Sequence, residues 1–317
     1  LTPPDLPHGA SAGPATSPDV GTVVGGDPVP PLVDAAWLAV HRDDVIIADV
    51  RWYLDGRSGH DAYLGGHLPG AIWVDVDTAL SAPPDPAGGR HPLPDPAAFA
   101  RSLGDLGIPA DAVVVAYDDA GGGYAARLVW LLRILGQPAA LLDGGLAGAG
   151  ALETGPVRRE PVTRAVLDWP AARFRTADQV EQALAAGTSV VLDARAAGRY
   201  SGTEVLPSDV RSGHIPGARN APWAANLTAA GTFAPRGELY DRYHALGVEE
   251  DTEVIVYCGS GVTACHDLLT LELLGVADTA LYPGSWSAWS ADQTRSVATG
   301  AEAGTAPSAP GVGTVER

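Results

Sequence analysis

The order of features in this chain occurs twice. Asp49-Val-Arg51 is answered by Asp193-Ala-Arg195, "GHLPGA" at Gly66–Ala71 by "GHIPGA" at Gly213–Ala218, and "LGI" at Leu106–Ile108 by "LGV" at Leu246–Val248. "AYDDAGGGYAAR" from Ala116 is then matched by "VYCGSGVTACHD" from Val256, and "DGG" at Asp143–Gly145 by "PGS" at Pro283–Ser285. Several matches lie about 140 residues apart, too far for a solenoid repeat, so the chain reads as a duplicated domain. Whatever one half folds into, the other must fold into as well.

Within each half, short apolar runs punctuated by Gly and Pro alternate with helical patterns. "VIIADV" (Val45–Val50), "VVVAY" (Val113–Tyr117) and "AALLD" (Ala139–Asp143) are predicted strands of the first half, "VVLDA" (Val190–Ala194) and "VIVY" (Val254–Tyr257) of the second. "AARLVWLLRILG" (Ala125–Gly136) and "VTACHDLLTLELLG" (Val262–Gly275) are predicted apolar helices, each stopped by a glycine. This alternation predicts an α/β protein of two tandem domains, each a parallel sheet flanked by helices. At 317 residues and 46% hydrophobic, the chain can fill two cores. The expected division is a disordered tail over 1–27, a first domain over 28–148, a Pro/Arg-bearing linker over 149–172, a second domain over 173–292, and a flexible tail over 293–317.

A net charge of −18 argues against nucleic acid or an anionic membrane as partner. An anionic substrate would need a local positive site of a few arginines and backbone N–H groups. The first residues have no basic start followed by an apolar run, and no segment approaches the ~18 apolar residues of a membrane span. Two cysteines are too few for a secreted disulfide scaffold. A soluble, cytoplasmic protein is expected.

The duplication also acts as an internal control. The position of Cys258 in the second copy is Asp118 in the first. A thiol that merely filled space would be matched more naturally by Ala, Ser or Val. Cys258 is expected at the C-terminal end of a strand and below a helix N-terminus, where ligands collect in open α/β sheets. Unpaired N–H groups and the helix dipole there should favour the thiolate. Gly259 and Gly261 let the backbone curl into an anion-binding nest running through Val262 and Thr263, and Ser260 and Thr263 can add hydroxyls. The same cradle could hold a persulfide sulfur.

Other chemistries fit less well. Cys258 and Cys265 are seven apart with no C-x2-C or H-x3-H pattern, which argues against zinc. Two turns of helix would separate their Cα atoms by ~10 Å, too far for a disulfide. Cys265 is read as packing and His266 as a helix-surface residue. A cysteine phosphatase needs an Arg six residues after the nucleophile, and that position is Ala264.

With "CGSGVTA", the paired D-x-R and GH[LI]PGA elements, and "YPGSWSAW" (Tyr282–Trp289), the chain resembles the rhodanese-like sulfurtransferases, specifically the two-domain 3-mercaptopyruvate and thiosulfate enzymes. The resemblance runs from about Pro28 to Trp289. It implies a first domain without the catalytic cysteine and an active site facing the domain interface. Cys258 would take sulfur from a small anionic donor as a persulfide and pass it to cyanide or a thiol, either a small thiol or a thioredoxin-like protein. No metal or organic cofactor is implied. Gly259 and Ser260, where thiosulfate enzymes carry basic residues, match the 3-mercaptopyruvate pattern.

By the same resemblance, Arg199 anchors the substrate carboxylate. A second arginine belongs in "VLPSDVRSGH", where Arg211 could serve from a shifted place. Arg195 is expected to pair with a carboxylate or backbone in support. A Ser-His-Asp relay proposed for the family places Ser260 and His67 on matching positions, with Ser58 at the aspartate position and Asp55 and Asp61 nearby. Because the histidine recurs as His214, a shared structural role is the competing reading. Trp286 and Trp289 are expected either in the core or flanking the active loop. A thiosulfate transferase and a non-turnover persulfide carrier stand as alternatives.

Overall fold

The apolar runs of the first half become a five-stranded parallel sheet in the order Leu32–Val33, Ala139–Leu142, Val113–Tyr117, Val45–Asp49, Ile72–Trp73. The computed structural model describes residues 23–24, 27–148 and 150–306. The second half forms a parallel sheet in the order Thr279–Leu281, Glu253–Tyr257, Ser189–Asp193, Arg219–Asn220. Phe174 bridges Leu281 in parallel, at the place Leu32–Val33 takes in the first sheet. Val113–Tyr117 is buried along its whole length. That is the signature of a central parallel strand covered on both faces, which needs no polar alternation.

The two apolar helices are Ala125–Ile134 and Ala264–Leu274. Neither shows a polar face because each lies between its own sheet and the other helix. Leu128, Leu131, Leu268 and Leu271 belong to one hydrophobic core that crosses from one domain to the other. Arg133 and Glu272 add an ion pair between the same two helices. The turn at Cys258 therefore forms within the packed core that the two domains share.

The segment expected as a linker lies along the first domain: Glu153 pairs with His67, Val162 N donates to Gly104 O, and Trp169 Nε1 to Pro94 O. The expectation of a flexible tail from 293 fails as far as residue 306. Ala298 pairs with His214, Gly217 N donates to Ala303 O, and Arg295 reaches Glu181. The rest of that tail, and the expected disorder over 1–22, lie outside the described residues; Val23–Val24 pairs with Asp27–Pro28.

Candidate active site

The repeated motifs build the same scaffold twice. Asp49 and Asp193, at the ends of their strands, are buried and each pairs with the arginine two residues on. Arg51 and Arg195 each also donate to the carbonyl before the histidine of the repeat, Gly66 O and Gly213 O, at 2.7 Å. The histidines are equivalent too. His67 Nδ1 contacts Tyr63 O at 2.9 Å and its ring stacks on Tyr63; His214 Nδ1 contacts Tyr200 O at 2.9 Å and stacks on Tyr200. Both are fully buried. The structure thus corrects the assignment of His67 to a proton relay, since it locks a turn, as His214 does. Ser58 caps the Gly59–Gly65 helix and Asp55 pairs with Arg57, so neither completes a relay.

The strand ends differ where the sequence differs. In the first copy the Asp118 carboxylate accepts from the N–H groups of Ala120, Gly122, Tyr124 and Ala125 at 2.7–2.9 Å. Burial pushes its pKa up, against the pull of those four donors. In the second copy Cys258 stands there, buried, and Gly261 N approaches its Sγ at 3.1 Å. Among the described residues no protein acceptor meets the N–H groups of Ser260, Val262 or Ala264, the counterparts of three of the four donors on Asp118. The helix itself begins at Ala264, with Thr263 as a cap that makes no side-chain bond.

Of the two loop glycines, only Gly261 has a positive φ (+80°), and a Cβ there would lie 2.7 Å from Pro283 O. Gly259 serves differently from the expected backbone curl, for it leaves room. A Cβ on it would stand 3.0 Å from Arg90 Nη2 and 3.1 Å from Arg199 Nη2. The Ser285–Ala291 helix closes the other side of the loop, with Trp286 N on Cys258 O and Ser287 N on Gly259 O. The rings of Trp286 and Trp289 point into the core, so it is the backbone of this helix that flanks the loop. Ser285 is the one non-glycine among the described residues with positive φ (52°). Its Oγ accepts from Cys258 N at 3.2 Å and donates to Tyr282 O. Gly145, its counterpart in the first copy, has the same φ without a hydroxyl.

Ser260 does meet a histidine, but it is His91. His91 Nδ1 lies 2.7 Å from Ser260 Oγ, and His91 Nε2 lies 3.0 Å from Asp77 Oδ1. A carboxylate only accepts, so Nε2 carries a proton, and in the neutral ring Nδ1 then accepts from the Ser260 hydroxyl. Trp52 Nε1 donates to Asp77 Oδ2 at 3.0 Å and packs edge-on to His91. The hydrogen bond from His91, then that from Trp52, hold Asp77 below the ordinary carboxylate range in spite of partial burial.

Arginines surround the loop. Arg199 lies over Gly259, ion-paired to Asp209 at 2.7 Å. Arg211 does not reach the loop. Its guanidinium donates to the carbonyls of Trp289, Ser290, Asp292 and Arg295 and fixes the chain that leaves the last helix. Arg127, fully buried in the first domain's helix, donates to Gly261 O, Leu80 O, His91 O and Pro92 O. It thereby fixes both the loop and the histidine that meets it. Arg90, His91 and Asp77 share the wall of a cavity of about 660 Å³ with Trp52, Tyr53 and Trp73.

Cys265 is buried, and burial pushes its thiol up to about 12. His266 is fully buried rather than on the surface. It stacks on Phe233 and approaches Asn226, and burial lowers it to about 3. No cluster of metal-ligating side chains occurs among the described residues, and none of their helices is long and apolar enough to cross a membrane.

Comparison with known proteins places this geometry. The Rhodanese-like domain family matches residues 32–151 and 176–292. A Pseudomonas aeruginosa protein named "Probable 3-mercaptopyruvate sulfurtransferase" is 42% identical over 288 residues, covering 85% of this chain and 98% of the relative. The Bos taurus protein named "Thiosulfate sulfurtransferase" is 36% identical, over 81% of this chain and 91% of its own. The crystal structure of SseA from Escherichia coli, a 3-mercaptopyruvate sulfotransferase by its description, aligns with a TM-score of 0.71 at 35% identity, covering 81% of this chain and 99% of that one. With two matched domains, a duplicated parallel-sheet architecture and relatives aligned over nearly their full length, this chain belongs to the rhodanese-like family.

Proposed function

We propose that the protein is a 3-mercaptopyruvate sulfurtransferase with Cys258 as its nucleophile. The Cys258 thiolate attacks the sulfur of the donor; the S–S bond forms as the donor's C–S bond breaks, leaving pyruvate enolate. The proton on the transferred sulfur moves to the enolate carbon and pyruvate departs, which leaves a Cys258 persulfide. A thiol acceptor, small or thioredoxin-like, then attacks the outer sulfur and returns Cys258 as thiolate. Splitting the transfer into two steps is the ordinary gain of nucleophilic catalysis. The persulfide anion would sit on the N–H groups of the 258–263 turn much as the Asp118 carboxylate sits in the first copy.

The observation that carries this reading is the Ser260–His91–Asp77 chain beside the thiol loop. An enolate must gain a proton at carbon, and a hydroxyl backed by a histidine and a carboxylate suits that task. Sulfite leaves thiosulfate without needing one, and a passive persulfide carrier needs no proton transfer at all. Two cationic side chains over Gly259 suit an anionic donor in a protein of net charge −18. A cytoplasmic setting fits two unpaired cysteines.

The test incubates the protein with 3-mercaptopyruvate or thiosulfate and a thiol acceptor, following pyruvate, sulfite and the mass of Cys258. Pyruvate release with a gain of about 32 Da at Cys258, one sulfur, is expected. Faster sulfite release would make thiosulfate the donor, and no turnover with either would leave a carrier.

A further inference from the structure

The sequence offered Arg211 as the second arginine of the substrate site, and the structure uses Arg211 elsewhere. A different guanidinium stands over Gly259. Arg90 belongs to the first domain, yet its Nη2 stands 3.0 Å from where a Gly259 side chain would begin. The turn that delivers it is built for close approach. Gly89 has φ +83°, a Cβ on it would lie 2.5 Å from Ser287 Oγ and 2.6 Å from Gly284 O, and Arg90 N donates to Ser287 Oγ at 3.1 Å. The backbone is thus pressed onto the second domain's last helix, with the side chain over the loop.

The two cations there are not equally free. Arg199 makes three hydrogen bonds of 2.7–3.1 Å to Asp209. Arg90 lies 3.9 Å from the same carboxylate and makes one long bond, 3.3 Å, to Ser208 O. One acid therefore serves two guanidinium groups and commits to Arg199, and most of the donor fork of Arg90, at the cavity wall, meets no acceptor among the described residues. Its neighbour in sequence is His91, so an anion held by Arg90 is held beside the relay.

We propose that Arg90, supplied by the non-catalytic domain, grips the anionic end of the sulfur donor and sets the preference for a planar carboxylate. The proposal rests on the sulfur-transfer reading above. A guanidinium fork fits a carboxylate in two parallel hydrogen bonds, whereas an ammonium supplies charge without that fit. The first domain then supplies Arg90, His91 and Asp77, and the second the sulfur nucleophile with Ser260 and Arg199.

Arg90→Gln and Arg90→Lys test this, with far-UV circular dichroism and the melting midpoint confirming the fold. Loss of one charge-assisted pair should raise KM for 3-mercaptopyruvate by about 10- to 100-fold in Arg90→Gln, with kcat changed only a few-fold. Arg90→Lys should raise that KM several-fold while sparing thiosulfate. Alkylation of Cys258 by iodoacetate relative to neutral iodoacetamide, read from the peptide mass, needs no turnover. That ratio should fall several-fold in Arg90→Gln and hold in Arg90→Lys. An unchanged ratio and KM in Arg90→Gln would overturn the proposal even where wild type releases pyruvate. Should wild type release none while the ratio falls as expected, the cation assignment stands and the donor assignment fails. Were Arg90→Gln not to fold, an unchanged KM in Arg90→Lys would overturn the fork.

Discussion

Replacing His91 and His67 separately by alanine should split chemistry from stability. His67 has no exposure, stacks on Tyr63 and bonds a main-chain carbonyl, so its loss empties a packed site. Removing a buried side chain with its hydrogen bond costs about 3 kcal/mol. At roughly 2–4 °C per kcal/mol for a chain of this size, the melting midpoint should fall by about 6–12 °C. kcat per folded molecule should not change, because nothing in the thiol loop touches that ring. His91 lies at the edge of a cavity that water can fill, so His91→Ala should cost little stability. It does strip Ser260 of its histidine partner and Asp77 of one of its donors, and loss of such a relay lowers kcat by about 100-fold or more. Calorimetry and pyruvate release on both variants provide the comparison. The reasoning is refuted if His91→Ala keeps kcat within threefold of wild type, or if His67→Ala slows turnover with an unchanged melting midpoint.

Three further outcomes are expected. Cys258→Ser should abolish sulfur transfer with the fold intact, whereas Cys265→Ser should keep most activity, because that buried thiol only approaches Gly261 O; loss of turnover in a folded Cys265→Ser would refute its packing role. Ser285→Gly should melt higher than Ser285→Ala by about 1 kcal/mol, since both lose the hydroxyl and only glycine relieves the positive φ; equal midpoints would refute the strain. Buried His266, lowered to about 3, makes folding more favourable as pH rises from about 3 towards 6.5, because the unfolded chain alone binds that proton. Buried Asp267, raised to about 7, acts oppositely from about 4 to 7, because the folded chain alone keeps its proton. The two slopes oppose between about pH 4 and 6.5. Asp267→Asn should therefore make the slope of stability against pH between about 4 and 6.5 more positive than in wild type, by up to about 1.4 kcal/mol per pH unit, and an unchanged slope in urea unfolding would refute the assignment.

The sheets, the two apolar helices and the thiol loop were legible because each is a local pattern: an unbroken apolar run, a glycine stop, a thiol where the other copy has Asp118. The meeting of Ser260, His91 and Asp77 was not. His91 and Ser260 are 169 residues apart, and Asp77, Arg90 and His91 lie in irregular chain without periodicity. A usable signal was nevertheless present. The contrast between copies that singled out Cys258 also counts against His67, which recurs as His214, and favours His91, for the matching stretch "GTFAPRG" holds no histidine. What both copies keep is scaffold, and what one copy alone carries is chemistry. Arg211 misled because an arginine near the expected place has the right charge, while its direction depends on helix-end carbonyls that only the folded chain brings together.

The hydrogen bond between Ser260 and His91 and the grip of Arg127 on Gly261 O both cross the boundary between the copies. Under the proposed mechanism each copy holds half of the centre, so the molecule amounts to a heterodimer written as one polypeptide. Cutting it at the linker would leave one fragment with the thiol and Ser260 but without His91 and Asp77, and another with His91 and Asp77 but no thiol. Mixing the separated halves should restore turnover only to the extent that they reassociate, which makes activity itself a gauge of how firmly the two copies hold together.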